Sequence, residues 1–244
     1  MSAVAFSPDG RLLASADGDG TVRLWNPATG QPVGAPFRAS RQYGGVHVVA
    51  VSLDGKLLAG GSGDGTVRLW NLATRRRVGV LQTGTGPNTG VWALAFSPDG
   101  KLLAAGCGDG TVRLWNPATR RPVATLHDTA SSVYGAHALA FSPDGKLLAV
   151  AGGDATVRAW NPATRRPVGA PIQIGSGPAD ALDVVAFSPD GKQLAGGSYD
   201  GTVLRWQVSI FTHTYAQLCT DVGSPTPQEW NHYASGELLP KVCG

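Results

Sequence analysis

The stretch LAFSPDGKLLAAGCGDGTVRLWNPATRRPV, Leu94 to Val123, holds three β-rich runs separated by turn chemistry and leads into a weaker fourth. In Ser97-Pro98-Asp99-Gly100, proline presets φ at the first central turn position, aspartate tolerates the second, and glycine supplies a positive φ. Asp109-Gly110 is a dipeptide favoured in two-residue hairpins, where both central residues take positive φ. Asn116-Pro117-Ala118-Thr119 closes the third run, because a proline there cannot continue a central strand. The stretch therefore reads as a meander of four strands, a to d.

The same text recurs along the chain. Phe6, Val51, Phe96, Phe141 and Phe187 begin five matching segments about 45 residues apart, and Trp25, Trp70, Trp115, Trp160 and Trp206 keep that spacing. The tight turn returns as Asp19-Gly20, Asp64-Gly65 and Asp200-Gly201, but the fourth copy has Asp154-Ala155, where backbone strain is expected. Alternation is incomplete: in Lys101–Ala105 and Thr111–Trp115 apolar side chains point both ways, as in a sheet covered on both faces. A single four-stranded sheet cannot cover itself, so each unit must stack on its neighbours in a radial array. Small residues such as Gly60-Gly61 and Ala105-Gly106 would let adjacent sheets approach closely. The expected fold is an all-β, five-bladed β-propeller over residues 1–208, either a closed ring or an open arc. A tail follows over 209–244, with a short helix and a loop.

The quoted residues resemble the WD-repeat family, whose units have this length and carry the same S-P-D-G, D-G and T-V-R-L-W signals. The likeness runs from Val4 to about Val208. Two departures stand out. The family's Trp-Asp pair is Trp-Asn at Asn26, Asn71, Asn116 and Asn161, and Trp-Gln at Gln207; the Gly-His pair before strand a is absent. The family's buried Asp-His-Ser/Thr-Trp network therefore does not carry over whole, with Trp70 and Ser62, and Trp206 and Ser198, expected to keep part of it. The tail, with Leu218-Cys219, a Thr226-x-x-Glu229-Trp230-x-x-Tyr233 run and Cys243, is similar to the ends of WD-repeat regions in bacterial, particularly actinobacterial, STAND-type signalling proteins. The resemblance implies a non-catalytic scaffold that binds other proteins, and for the tail a bacterial signalling setting.

Bulk composition agrees with a folded globule. Of 244 residues, 42% are hydrophobic and only 15% charged, which excludes a disordered tail protein, and the 34 glycines and 17 prolines recur as turn punctuation. No run approaches the roughly 20 apolar residues of a membrane helix, and Met1-Ser2-Ala3 leads into a strand pattern without a signal-peptide layout. The expected compartment is the cytoplasm.

The five repeat-phase tryptophans read as packing residues. Tyr43, Trp92 and Tyr134 differ, because they lie in the d-to-a connectors where the repeats stop agreeing. In a propeller these connectors share one face with the b-to-c turns, so Arg38, Arg41, Tyr43, His47, Trp92, Tyr134, His137, Asp180 and Asp183 are the expected protein-binding surface. The opposite face collects twelve basic residues: Arg11, Lys56, Lys101, Lys146, Lys192, Arg75 to Arg77, Arg120-Arg121 and Arg165-Arg166. Five turn aspartates, Asp9, Asp54, Asp99, Asp144 and Asp190, dilute that field, so nucleic acid is not the expected partner. Self-association through open blade edges is a further expectation.

Chemistry is not legible in the chain. His47, His127, His137, His213 and His232 show no metal-ligand spacing, and neither a P-loop nor a nucleophile elbow occurs; no enzyme, metal or cofactor is expected. Cys107 reads as a small buried residue, while Cys219 and Cys243 bracket the tail and are the candidate disulfide. Two other readings stay open: a propeller that binds, or even hydrolyses, a small molecule or glycan in its channel, and a fragment of a larger multidomain STAND-type protein.

Overall fold

The computed structural model describes residues 1–39, 45–84, 88–127, 135–174, 181–198 and 200–212. Five antiparallel meanders follow one another, each with its strands in sequential order. Blade 1 comprises β1 (Ala3–Phe6), β2 (Leu13–Ala16), β3 (Thr21–Trp25) and β4 (Phe37–Arg38). Blade 2 comprises β5 (Val46–Val51), β6 (Leu57–Ser62), β7 (Thr66–Asn71) and β8 (Arg77–Gln82). Blade 3 holds β9 (Val91–Phe96), β10 (Leu103–Cys107), β11 (Thr111–Asn116) and β12 (Arg121–His127). Blade 4 holds β13 (Ala136–Phe141), β14 (Leu148–Gly152), β15 (Thr156–Asn161) and β16 (Arg166–Gln173). Among the described residues blade 5 has three strands, β17 (Leu182–Phe187), β18 (Gln193–Ser198) and β19 (Val203–Gln207), after which the chain turns into the one-turn helix α1 (Ser209–Thr212).

Turn residues act as the sequence implies at two of the three turns. In the a-to-b turn the Ser97 hydroxyl donates to the Asp99 carboxylate (2.7 Å) and accepts from the Leu102 N–H (2.9 Å), while Gly100 sits at φ +70°. At the c-to-d turn the Asn116 side-chain oxygen accepts the N–H of Thr119 (2.9 Å), which is what asparagine does in the place of the family's aspartate. The b-to-c turn differs from expectation. Asp17 N–H donates to Thr21 O (3.0 Å) and Gly20 N–H to Asp17 O (3.1 Å), so the loop has three residues, and of these only Gly20 has positive φ. The Asp19 carboxylate holds the turn by accepting the Thr21 N–H and hydroxyl, leaving glycine alone to reverse the chain. Ala155, which replaces that glycine in blade 4, is forced to φ +57°, the anticipated strain.

Blades pack face to face through four buried clusters. In the first, Ala14, Ala16, Val22 and Leu24 of blade 1 meet Val49, Leu58 and Trp70 of blade 2; the other three repeat this between blades 2 and 3, 3 and 4, and 4 and 5. Each of blades 1 to 4 thus offers the valine of strand c, with Leu24, Leu69, Leu114 or Ala159 two residues on, to the next, which answers with the strand-a valine or leucine and the strand-c tryptophan. Fully buried side chains such as Leu58, Leu69 and Leu103 are each worth about 2 kcal/mol. Strands β1, β5, β9, β13 and β17 touch in succession and form the inner wall.

Among the described residues the array is an open arc. Neither a buried cluster nor an inner-strand contact of the kind that joins neighbouring blades links blade 5 to blade 1 among the described residues. Val4 and Phe6 of β1 stand 50% and 61% exposed where their counterparts are covered, and Val203 of β19 is 80% exposed where Val22, Val67 and Val157 are buried.

Candidate functional site

His47, Trp92, His137 and Asp183 occupy one position, the second residue of each inner strand from blade 2 to blade 5. In every case that residue is the extra one of a β-bulge. Pairing passes from Val46↔Ser62 to Val48↔Gly61, from Val91↔Cys107 to Ala93↔Gly106, from Ala136↔Gly152 to Ala138↔Ala151, and from Leu182↔Ser198 to Val184↔Gly197. Blade 1 pairs without a shift. Bulges bend a strand and re-aim side chains, and here they do so four times at the rim end of the inner wall.

The consequence is a short ladder of rings. The His47 imidazole stacks on Trp92 with centroids 4.4 Å apart and planes 24° apart, and His137 lies against the other neighbour side of Trp92 at 6.5 Å and 53°. Trp92 remains 47% exposed between them. Its place depends on a glycine: a Cβ built on Gly108, in the b-to-c turn, would come within 2.8 Å of the indole Nε1 and 2.7 Å of the Asn88 carbonyl. Next door, Gly135 packs against Gly108 and His137. Glycines on both sides therefore let connector, turn and ring share one rim.

Carboxylates along that rim are neutralised from within. Arg68 meets Asp64 at 3.0 Å, Arg113 meets Asp109 at 2.8 Å and Arg158 meets Asp154 at 3.1 Å. Partial burial pushes the Asp64 and Asp109 carboxyls up, but the guanidinium and the threonine hydroxyl beside each outweigh it, and both end below the ordinary carboxylate range. The equivalent pair of blade 1, Arg23 and Asp19, is looser, at 3.5 Å. Blade 5 has Leu204 at the arginine position, and Asp200 there accepts from Thr202.

Not every expected residue joins this group. Arg38 lies on β4, the outermost strand of blade 1, paired with Thr21 and exposed, away from the inner wall. Asp183 shares the bulge register and is exposed. Arg41, Tyr43, Tyr134 and Asp180 lie outside the described residues, as do Cys219 and Cys243. Cys107 is buried, its thiol pushed up by burial, as befits a small packing residue. Among the described residues no group of three or more His, Cys, Asp or Glu could hold a metal ion. Likewise, no helix is long and apolar enough to cross a membrane.

A model of the family described as WD domain, G-beta repeat, matches residues 1–26, 36–71, 79–116, 120–161 and 169–207. The chain belongs to the WD-repeat family. No curated protein matches the chain significantly. The matched segments are out of phase with the blades: 36–71 takes in β4 of blade 1 with β5, β6 and β7 of blade 2, and 120–161 takes in β12 with β13, β14 and β15. The four later matches thus each span two blades, whereas the first, 1–26, supplies strands a to c of blade 1 alone.

Trp70, Trp115 and Trp160 are buried, Trp25 and Trp206 half-buried, and one of their expected polar pairings is corrected. The Trp25 indole N–H donates to Ser15 Oγ at 2.8 Å. Ser15 is two residues along β2 from the tryptophan's cross-strand partner Leu13, and blade 2 has Gly60 at that place. Trp70 lies over Gly60, while Ser62 accepts from Arg68 at 3.4 Å, so Trp70 and Ser62 do not form the remnant network.

On the basic face several charges are already engaged. Lys56, Lys101 and Lys146 pair with Asp54, Asp99 and Asp144 at 3.3, 3.5 and 3.4 Å. Arg75 and Arg120 bend back onto the preceding blade: Arg75 donates to Ala35 O and lies 4.7 Å from the Phe37 ring, and Arg120 donates to Val78 O at 2.8 Å. Sequence reasoning missed these hooks, although a position that alternates between Gly30 and Arg75, Arg120 and Arg165 was a usable signal.

Proposed function

We propose that this WD-repeat chain is a non-catalytic protein-binding scaffold whose docking surface is the inner rim built on His47, Trp92 and His137. The observation that carries the reading is the half-exposed Trp92 held between two histidines on bulged strands. A large, rigid aromatic with a polar edge gives contact area at low entropic cost, which is why tryptophan dominates interface hot spots. Asp183 extends the same register toward blade 5, and Arg41, Tyr43, Tyr134 and Asp180 belong to the same proposed face; Arg38 marks its outer margin. Basic side chains occupied by turn aspartates and neighbouring blades favour a protein over a nucleic-acid partner. A cytoplasmic bacterial signalling setting is part of the proposal and rests on the tail's sequence resemblance.

The test is comparative affinity capture from the native host. Proteins held by the wild type should be lost with Trp92→Ala and with His137→Ala, and retained with Arg121→Ala on the opposite face. A captured set that Trp92→Ala leaves unchanged would overturn the assignment.

A further inference from the structure

We propose that the two open ends of the arc dock on each other between copies of this chain, blade 5 of one copy receiving blade 1 of the next. This is independent of the aromatic rim. The four internal interfaces define two complementary faces. One is the outgoing face, with small residues on strands a and b and the valine of strand c; the other is the incoming face, with the strand-a valine or leucine and the strand-c tryptophan. Among the described residues one face of each kind is left uncovered. Blade 1 exposes an incoming face of Val4 and Phe6, with Trp25 and Pro27 less covered than Trp70 and Leu72 in blade 2. Blade 5 exposes an outgoing face of Val184, Ala186 and Val203.

The terminal blades depart from the repeat at the positions these faces would bring together. Blades 2 and 3 hook onto the strand d before them through Arg75 and Arg120. Blade 1 has Gly30 at that place, and blade 5 has no strand d among the described residues for a hook to reach. The two omissions match each other. Strand c of blade 5 reads Thr202-Val203-Leu204-Arg205-Trp206, with Arg205 where the others have Leu24, Leu69, Leu114 and Ala159. Leu24 shares its cluster with Trp70, so Arg205 would face Trp25 of the next copy. A guanidinium over an aromatic ring is a stable pairing that this protein already uses between Arg75 and Phe37. Such contacts join unlike patches, and so they build rings or filaments rather than twofold dimers.

Sedimentation of the full chain across micromolar concentrations reads this directly. The expected mass is twice the single-chain 25.1 kDa or more, rising with concentration. Phe6→Asp and Val203→Asp, both at exposed positions, should each return it to one chain while leaving the far-ultraviolet dichroism unchanged. Mixing the two variants should restore a two-chain species, because each retains the face the other lacks. A wild type that stays at one chain at about 100 µM, roughly a hundred times a micromolar dissociation constant, overturns the proposal. So does assembly that survives either substitution, or a mixture that remains single chains.

Discussion

Arg120, in the third blade, donates through its guanidinium to the main-chain carbonyl of Val78, in the second, at 2.8 Å. It does so from a left-handed backbone, φ +60°, and its side chain lies so close over Gly79 that a Cβ there would meet Arg120 Cδ at 2.6 Å. A non-glycine residue held at positive φ signals that something else outweighs the strain. In this case the return is a clasp between blades.

Two substitutions separate strain from clasp. Arg120→Ala loses the hydrogen bond and keeps the strained backbone, and should cost about 1 kcal/mol. Arg120→Gly loses the same bond but relieves the strain, by about 1 kcal/mol, and should come out near neutral. Urea denaturation of both variants gives the comparison; equal losses would mean the left-handed turn is not strained.

Ala155 offers the converse case, strain without a hook. Its φ of +57° stands where Gly20, Gly65, Gly110 and Gly201 occur in the other blades. Ala155→Gly should stabilise the protein by about 0.5–1 kcal/mol, the left-handed penalty less the extra backbone entropy of glycine. That corresponds to a rise of about 1–4 °C in Tm for a chain of this size. A fall in Tm would show that the buried methyl group matters more than the backbone.

Strands and turns were legible because they depend on local chemistry repeated from blade to blade: Ser97 to Gly100 and Asn116 to Thr119 do in the structure what their residue types require. Trp70, Trp115 and Trp160, at the same regular spacing, are buried. What the sequence concealed depends on neighbours. A bulge at His47 or Trp92 is a register shift between two strands, and no residue type announces it. The turn after Asp17 was misjudged by one residue because the Asp19 carboxylate, bonded forward to Thr21, holds aspartate out of the left-handed region. Ring closure could not be decided from five similar units, since it rests on whether Phe6 and Val203 find a covering blade.

Acid should weaken the blades in a defined window. The carboxyls of Asp64 and Asp109 lie below the ordinary 3.8 in the folded chain, held down against partial burial by Arg68 with Thr66 and by Arg113 with Thr111. A depressed folded value contributes stability that is present above the unfolded value and disappears as pH falls through the folded one. Stability should therefore be level above about pH 5 and drop below about pH 4. Asp109→Asn should flatten that drop while lowering stability at neutral pH. Denaturation midpoints from pH 2.5 to 7 measure both, and an unaltered acid limb in the variant would remove Asp109 from the account.

Gly108 and Gly100 together test whether the rim depends on the placement of Trp92 or only on overall stability. Gly108 is not at positive φ, so alanine is tolerated by the backbone; its methyl group would collide with the Asn88 carbonyl and the Trp92 indole nitrogen. Gly100 is the opposite: nothing lies within 4 Å of its Cβ position, but φ is +70°. Gly108→Ala should therefore displace Trp92 and weaken partner capture by about tenfold or more, in line with the loss of one hot-spot contact of 1–2 kcal/mol. Gly100→Ala should lower stability by about 1–2 kcal/mol through left-handed strain and leave capture intact. If both variants bind alike, the stacked rings are packing residues of the inner wall, and the docking surface lies elsewhere on the arc.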